Sequence, residues 1–413
     1  MIPPWDSFRL KHLARNVIER AAPHDDRPYI GLDAIAPWTG EIDLSASGET
    51  EESTGNRFNP GDILFGKLRP YLAKVSAPKF AGQCSAEALV LRPKPHIDPR
   101  FLRYRLVDVG AIDAVNASTY GAKMPRASWD FIGNMRFSIP DLPTQKAIAD
   151  FLDRETGRVD RLIEKKQRLV ELLREKLRAT TSNYFEVLEK NNTTQWRLRH
   201  LLREPLKYGA NESSDSDDAD GVRFIRITDL GSDGTLRDDN VKVLPLDKAQ
   251  PYMLCDGDIL LARSGATVGK SFIYRDAFGP CCFAGYLIRA RLRLSVILPD
   301  FLKRFTETAR YWDFIAQSNI QATIQNVSAE RYANLLIPLP SIAHQVEILD
   351  GIEKLEAPLR CALAQVNKSV ERLREFRATL ITAAVTGQID VATWGKRGQA
   401  DCRLDALQRE MTS

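Results

Sequence analysis

The chain has 413 residues, of which 44% are hydrophobic and 27% charged, enough for two or more domains with large cores. The absence of membrane-spanning apolar runs and of a signal-peptide pattern at MIPPWDSFRL makes a cytoplasmic location the default expectation. The net charge of +4 does not by itself favour nucleic acid, and the six cysteines lack zinc or disulfide spacing, so we interpret them as reduced structural thiols.

Residues 1–143 are predicted to form a mixed α/β globule. Short β-rich runs such as DILFGKL and EALVLRP are separated by Gly, Pro and Asp turns, whereas FLRYRLV has a helical pattern. Basic residues greatly outnumber acids between Arg57 and Lys79. Such a cluster suits a phosphate backbone, but it is equally typical of a solvated face.

Residues 144–190 are predicted to be a central helical region. The stretch FSIPDLPTQKAIADFLD leads from an apolar strand through prolines into a helix with Gln145 in its first turn. Gly157 predicts a break. Beyond it, alternating steps of four and three, interrupted at Lys166 and Thr180, define a heptad stripe made of Val159, Ile163, Val170, Leu173 and Leu177.

Residues 191–343 are predicted to form a second α/β globule. It contains the β-rich runs VRFIRIT and DILLARS, the helical run FLKRFTETARYWDFIAQ and an acidic segment, NESSDSDDADG, that we interpret as a surface loop. A second basic cluster lies between Arg289 and Arg310, and the same two interpretations apply to it.

Residues 344–390 are predicted to be a C-terminal helical region, followed by a tail at 391–413. IPLPSIAHQVEILDGI opens it with Gln345 in the first turn, and Pro358 predicts a break. Beyond that break, a stripe interrupted at Arg377 contains Leu359, Leu363, Val366, Val370, Leu373 and Leu380.

The two halves of the chain repeat one another at an offset of about 200 residues. FRLKHL matches WRLRHL, YIGLDAI matches FIRITDL, GDILFGKL matches GDILLARS, and IDPRFLRYRL matches ILPDFLKRFT, all in the same order. This pattern predicts two tandem copies of one α+β unit, related by a pseudo-twofold, with antiparallel packing of their closing helices. About 30 residues of helix make a rod of roughly 45 Å. An interdomain spacer or a dimerisation rod stays an open alternative.

A search for catalytic motifs finds little. No G-x-x-x-x-G-K-[ST] loop, G-x-S-x-G elbow or H-E-x-x-H motif is present, and no metal site is predicted. GATVGKS at 265–271 has the wrong glycine spacing for a phosphate loop. Glu164 and Lys166 could complete a nuclease-like pattern with Asp141, but they lie in the heptad segment and suit a solvated helix face.

Over nearly its whole length the sequence resembles the specificity subunit of type I restriction-modification enzymes. The resemblance rests on the two GDIL turns, on IPDLPTQKAIADFLD with DRLIEKKQRLVELL, and on IPLPSIAHQVEIL with LREFRATLITAAVTGQID. The first copy departs from the pattern: it is one residue shorter around Pro140 to Pro143, and it has TTSNYF where the second copy has ITAAVTG.

This resemblance implies a non-catalytic chain whose two globules are target-recognition domains, each reading half of a split, asymmetric DNA site. It also implies partners: two methyltransferase subunits and two motor-nuclease subunits, which would carry S-adenosylmethionine, ATP and Mg. Two other interpretations stay open. One is a structural adaptor that uses its coiled coil, and the other is a DNA-modifying enzyme with an unrecognised active site.

Within that resemblance, DNA-reading residues are sought among basic, amide, hydroxyl and tyrosine side chains in equivalent loops of the two copies. Each is individually as consistent with an ordinary surface side chain. In the first copy the candidates are Lys67, Arg69, Tyr71, Lys74, Tyr120, Lys123 and Arg126. In the second copy they are Arg263, Ser264, Thr267, Lys270, Gln321, Thr323 and Gln325.

Overall fold

The computed structural model describes residues 5–20, 27–46, 55–121, 124–212, 221–231, 234–319 and 326–391. The chain divides into two compact units by its internal contacts. Unit 1 comprises Met1–Arg168 with Gln365–Ser413, and unit 2 comprises Leu169–Ala364. The domain boundaries predicted at 143, 190, 343 and 390 stay predictions.

The first copy builds three small sheets. The described strands of this copy are β1 (Asp6–Arg9), β2 (Ala14–Val17), β3 (Tyr29–Ile30), β4 (Asn56–Phe58), β5 (Ile63–Gly66), β6 (Val75–Ser76), β7 (Gly82–Cys84), β8 (Ala88–Pro93) and β9 (Arg136–Ile139). An antiparallel sheet has the order β2-β8-β5-β6, a mixed sheet has the order β3-β7-β4, and β1 pairs with β9.

The second copy repeats this plan with one change. Its described strands are β10 (Gln195–Arg197), β11 (Lys207–Tyr208), β12 (Val222–Ile225), β13 (Val243–Leu244), β14 (Ile259–Ala262), β15 (Ser271–Ile273), β16 (Cys281–Phe283), β17 (Leu287–Ala290) and β18 (Leu336–Pro338). The orders are β11-β17-β14-β15, β13-β12-β16 and β10-β18. The change lies in the three-stranded sheet, where the parallel pair β12 and β16 corresponds to β3 and β7 of the first copy. The third strand, β13, pairs with β12, whereas its counterpart β4 pairs with β7.

Short helices accompany the sheets, and one long helix follows each copy. The α-helices are α1 (Leu10–Leu13), α2 (Pro99–Val107), α3 (Val109–Ala117), α4 (Trp129–Ile132), α5 (Leu142–Lys190), α6 (Leu198–Leu201), α7 (Leu246–Ala249), α8 (Pro299–Phe305), α9 (Ala309–Asn319), α10 (Ala329–Ala333) and α11 (Ile342–Val385). The mixed α+β fold class and the tandem duplication are therefore confirmed.

The GDIL turn of the first copy is a structural joint. Gly61 has a φ of 87°, a left-handed conformation that glycine adopts without strain. The buried Asp62 accepts the backbone N–H of Asn59 at 2.9 Å and two hydrogen bonds from Arg92, both at 2.7 Å. This charge-assisted pair satisfies the buried carboxylate at the start of β5 and raises the pKa of the Arg92 guanidinium.

The second GDIL turn repeats this joint. Gly257 has a φ of 82°, and the buried Asp258 accepts the backbone N–H of Cys255 at 2.8 Å. Arg291 donates to Asp258 at 2.8 and 2.7 Å, and this contact raises the pKa of Arg291. GDIL thus occurs twice because each copy needs the same left-handed turn and the same buried carboxylate to begin its central strand.

A buried glutamine joins α5 to the first globule. Gln145 is 1% exposed. Its Oε1 accepts the backbone N–H of Asp98 at 2.9 Å, and its Nε2 donates to the carbonyls of Pro140 at 2.9 Å and His96 at 3.2 Å. One side chain therefore satisfies three backbone groups where the strand, the loop before α2 and the long helix meet.

The start of α11 has the same arrangement. Gln345 is 0% exposed. It accepts the backbone N–H of Leu298 at 2.9 Å and donates to the carbonyls of Val296 at 2.9 Å and Pro340 at 3.0 Å. The glutamine that the sequence places in the first turn of each helix is therefore a junction residue in both copies.

The breaks predicted at Gly157 and Pro358 are wrong, because both residues lie inside continuous helices. An interior glycine costs only about 1 kcal/mol relative to alanine, and a proline about 3 kcal/mol. Buried side chains on both sides of each position, including Leu152 and Val159 around Gly157, outweigh such local penalties.

In unit 1 the two long helices pack antiparallel. The buried Val159 of α5 packs with Leu373 of α11, and Asp160 accepts hydrogen bonds from Arg377 at 2.8 and 3.2 Å. The last turns of α11, including Ala384, enter the core of the first globule. Arg377, which interrupts the predicted stripe, is thus a buried partner in the helix pair rather than a defect.

In unit 2 the opposite ends of the same helices form the corresponding pair. The hydroxyl of Thr181 donates to the buried Glu356 at 2.6 Å, and Phe185 shares the core of the second globule with Ile352. Every residue of the two predicted heptad stripes is buried or half-buried in its own unit.

Among the described cysteines, Cys84, Cys281 and Cys282 are buried, whereas Cys255 and Cys361 are exposed, and all five are free thiols. Burial raises the pKa of Cys84 and Cys282 to about 12 and that of Cys281 to about 11. The three buried thiols fit the predicted structural role, and Cys402 lies outside the described residues.

Replacing either junction glutamine should destabilise its own copy. Gln145→Ala and Gln345→Ala each leave a buried N–H and two carbonyls without their partner, and at about 1–3 kcal/mol for each unpaired group we expect a loss of about 3 kcal/mol or more per substitution. Thermal or urea unfolding measures this loss. Gln167→Ala, at an exposed position of α5, is the matched control and should change little. Equal stability of Gln145→Ala and Gln167→Ala would contradict the junction role.

Candidate functional site

In the first copy, three loops meet beyond the end of β5. The backbone N–H of Lys67 donates to the carbonyl of Glu87 at 2.8 Å, and Ala127 donates to the carbonyl of Lys67 at 3.0 Å. Arg69 donates to the carbonyl of Pro125 at 2.8 Å. We call residues 67–74, 85–87, 120–121 and 124–127 the first loop surface. Candidates that are distant in sequence, such as Lys67 and Arg126, are brought together here.

The candidate side chains of the first loop surface differ in availability. Tyr71 and Tyr120 are 46% and 65% exposed, and Arg69 is also exposed. Arg126 is exposed but pairs with Glu87 at 2.9 Å. The Lys74 ammonium donates to the carbonyl of Leu32, so this side chain has a structural partner inside its own copy. Lys123 lies outside the described residues.

The second copy assembles an equivalent surface around Arg263. The backbone N–H of Arg263 donates to the carbonyl of Tyr286 at 3.0 Å, and Val327 donates to the carbonyl of Arg263 at 2.8 Å. Arg263 therefore occupies the position of Lys67, and Tyr286 that of Glu87. We call residues 263–270, 284–286 and 326–327 the second loop surface.

The remaining described candidates of the second copy, Ser264, Thr267 and Lys270, lie on this surface. Ser264 forms a bridge with Asn326, and the backbone N–H of Lys270 donates to the carbonyl of Thr267 at 3.0 Å. Lys270 is exposed. The GATVGKS segment connects the antiparallel strands β14 and β15, whereas a phosphate loop connects a strand to a helix. Gln321, Thr323 and Gln325 lie outside the described residues.

Sequence reasoning missed three residues: Glu87 and Tyr286, which lie on these surfaces, and Tyr208, which contacts Arg263 of the second surface. Glu87 and Tyr286 precede β8 and β17, and aligning CSAEALVLR with FAGYLIRA across the repeat could have identified them. Tyr208 carries no motif signal. It becomes visible only because the guanidinium carbon of Arg263 lies 4.7 Å from the centroid of its ring.

The basic cluster between Arg289 and Arg310 is largely neutralised inside unit 2. Arg289 and Arg291 both pair with Glu204, at 2.9 and 2.8 Å, and Arg291 also binds Asp258. The other cations that pair with acidic side chains are Lys303, Arg304 and Arg310. These pairings favour a structural role for the cluster over phosphate binding.

The two loop surfaces offer binding groups. Arginine, lysine and tyrosine side chains on loops are the groups with which proteins hold phosphates and read base edges. In the described ranges no group of three His, Cys, Asp or Glu side chains is arranged to hold a metal ion. The two loop surfaces are therefore the candidate nucleic-acid-binding sites of a duplicated fold.

The comparison with protein families agrees. The model described as "Type I restriction modification DNA specificity domain" matches residues 4–172 and again residues 207–372. These two matches cover most of the chain, one for each copy. The chain belongs to this family of type I restriction-modification specificity proteins, and the resemblance found in the sequence is confirmed.

Individual relatives are distant. The EcoBI specificity subunit of Escherichia coli is 23% identical over 363 residues, which are 81% of this chain and 75% of that subunit. The StySPI specificity subunit of Salmonella potsdam is 29% identical over 138 residues, which are 33% of this chain and 29% of that subunit.

One solved structure has a similar fold. A chain from a study of complex assembly and conformational transition of the type I R-M system is 19% identical and aligns with a TM-score of 0.64. The match covers 94% of the present chain and 100% of that one. Separately, none of the helices in the described residues combines the length and apolarity needed to cross a membrane. The residue-level DNA contacts stay predictions.

The first loop surface can be tested through salt dependence. The double variant Lys67→Ala, Arg69→Ala, assembled with its methyltransferase subunit, should bind duplex DNA more weakly. The slope of log binding constant against log salt concentration should fall in magnitude by about 2, because two phosphate contacts are lost. Lys74→Ala is the matched control and should leave the slope unchanged, since its ammonium binds the carbonyl of Leu32. The measurement is the DNA affinity at several salt concentrations. An unaltered slope in the double variant would show that Lys67 and Arg69 of the first loop surface do not contact DNA phosphates.

Proposed function

We propose that this chain is the DNA-specificity subunit of a type I restriction-modification complex and that each copy reads one half of a split DNA site. The observation that carries the proposal is the pair of loop surfaces, which stand on equivalent backbone hydrogen bonds but carry different side chains. Lys67 and Glu87 of the first surface correspond to Arg263 and Tyr286 of the second. Two readers with different side chains recognise different half-sites, so the site is asymmetric.

The duplication also supports paired partners. Two copies of one scaffold offer two equivalent attachment regions, which suits two identical methyltransferase subunits. The chain itself would carry no chemistry. Methyl transfer with S-adenosylmethionine would belong to those subunits, and ATP- and Mg-dependent cleavage to restriction motor-nuclease subunits. The adaptor and enzyme alternatives are not favoured, because the family match covers both copies with a DNA-specificity domain.

The long helices are suited to set the spacing between the half-sites. α5 is continuous for 49 residues and α11 for 44, with no break at Gly157 or Pro358. A helix rises about 1.5 Å per residue, so helix length converts directly into distance along DNA. Half-sites on one face of B-DNA recur about every 34–36 Å, a scale that such helices reach.

Methylation mapping tests the proposed function. In cells that carry this chain with its methyltransferase subunit, we expect methylated adenines in a motif of two unlike half-sites separated by a fixed, unspecified gap. Deleting this chain alone should abolish the methylation. Methylation that persists without the chain, or a motif that is continuous or palindromic, would contradict the proposal.

Helix length should control the gap. Inserting one heptad into α5 after Arg168 and another into α11 after Ala364 adds about 10.5 Å to each helix and should lengthen the gap by about three base pairs without altering either half-site. Alanine substitution of the exposed Arg174 and Arg178 is the length-neutral control. An unaltered gap in an active insertion variant would rule out the measuring role.

A further inference from the structure

Arg263, on the second loop surface, is held at its side chain as well as at its backbone. Its backbone is fixed on both sides, by Tyr286 and by Val327. Its guanidinium carbon lies over the ring of Tyr208, 4.7 Å from the ring centroid, and its Nε donates to Oδ1 of Asn326 at 3.4 Å. These two contacts restrain the guanidinium before any ligand arrives.

The support beneath this arginine is itself anchored. The Tyr208 hydroxyl accepts the backbone N–H of Ala329 at 2.9 Å, so the first residue of α10 fixes the tyrosine. The ring of Tyr208 covers one face of the guanidinium, and the bond to Asn326 uses one of its donors, Nε. Within the described part of the chain, the terminal nitrogens Nη1 and Nη2 of Arg263 have no hydrogen-bond or ion-pair partner.

The first copy is built differently at the same place. In the paired strands Val17 lies opposite Val90, as Lys207 lies opposite Arg289, so Ile18 occupies the position of Tyr208. Ile18 is 72% exposed and offers no ring, and the residue in the position of Arg263 is Lys67. The supported guanidinium is thus a property of the second copy, as a specificity element should be.

We propose that Arg263 reads a guanine in the half-site recognised by the second copy, and that Tyr208 is its positioning residue. This inference rests on the proposed function. Guanine presents two acceptors, O6 and N7, on its major-groove edge, and a planar guanidinium with two terminal donors matches them bidentately. No other base presents two such acceptors there. Preorganisation lowers the entropic cost of that contact.

A phosphate contact would use the same charge but would not need the support. A phosphate accepts donors from many directions, and a flexible lysine holds it as a point charge. Lys270, which is exposed on the same surface, represents that alternative. The two roles predict different results, because losing a phosphate contact weakens all sequences alike, whereas losing a base contact relaxes one position.

The test compares variants in cells that express this chain with its methyltransferase subunit, by mapping methylated sites across the genome. We expect a guanine at one position of one half-site in the wild-type motif. Arg263→Ala and Arg263→Lys should relax that position alone and reduce discrimination there by about 10-fold or more. Tyr208→Ala should relax the same position as Arg263→Ala, whereas Tyr208→Phe, which keeps the ring but loses the hydroxyl bond to Ala329, should relax it less.

Two matched controls separate charge from base reading. Lys270→Ala should reduce methylation at all sites without changing the motif. Arg275→Ala removes an arginine that pairs with Asp256 and Asp300 near the other end of β14, and it should change neither extent nor motif. Purified variants are compared by circular dichroism and thermal melting. If Arg263→Ala does not fold, the motifs of Arg263→Lys, Tyr208→Phe and Tyr208→Ala show whether the guanine position is relaxed.

Three results would overturn the inference: an unchanged motif in folded Arg263 variants, a uniform loss like that of Lys270→Ala, or relaxation at a position that is not guanine. Failure of the proposed function looks different, because the wild-type chain would then direct no split methylation motif at all.

Discussion

The structure depends on satisfying buried backbone groups where each long helix leaves its globule. A strand, a loop and a helix converge there, and their free N–H and carbonyl groups are removed from water, where each unpaired group would cost about 1–3 kcal/mol. Gln145 and Gln345 each satisfy three of these groups with one side chain. An amide can donate and accept at once, which neither a carboxylate nor an ammonium can do. This fixes the helix relative to its own globule.

The contacts that the two copies share are the ones that build the scaffold. The glycine-aspartate turns, the forks of Arg92 and Arg291 onto buried carboxylates, and the junction glutamines recur with nearly the same distances. Beyond the other end of the same central strands the copies share backbone hydrogen bonds but not side chains. The scaffold contacts that the copies share therefore lie at one end of the strand, and the side chains that differ between them lie at the other.

Much of this could be predicted from the sequence because it repeats. A pattern that recurs in order at a constant offset reveals shared scaffold residues, and the duplication, fold class and helical regions follow from it. The breaks at Gly157 and Pro358 were predicted wrongly, because local propensity was opposed by packing along helices of 49 and 44 residues. The contact of Arg263 with Tyr208 could not be predicted, since residues 55 positions apart meet only through strand pairing.

Separating scaffold from reader has an energetic consequence. Asp62 and Asp258 are buried and each accepts two hydrogen bonds from an arginine, so a change at either position leaves a partly buried arginine without this partner and destabilises the copy. Positions 67, 87, 263 and 286 are held by main-chain bonds that do not depend on side-chain identity. Substitutions at these positions change the side chains that the loop presents and cost little folding free energy. Under that condition one fold can come to recognise different DNA sequences. The same reasoning explains why the side chains of Lys67 and Arg263 can differ although their backbones make equivalent hydrogen bonds.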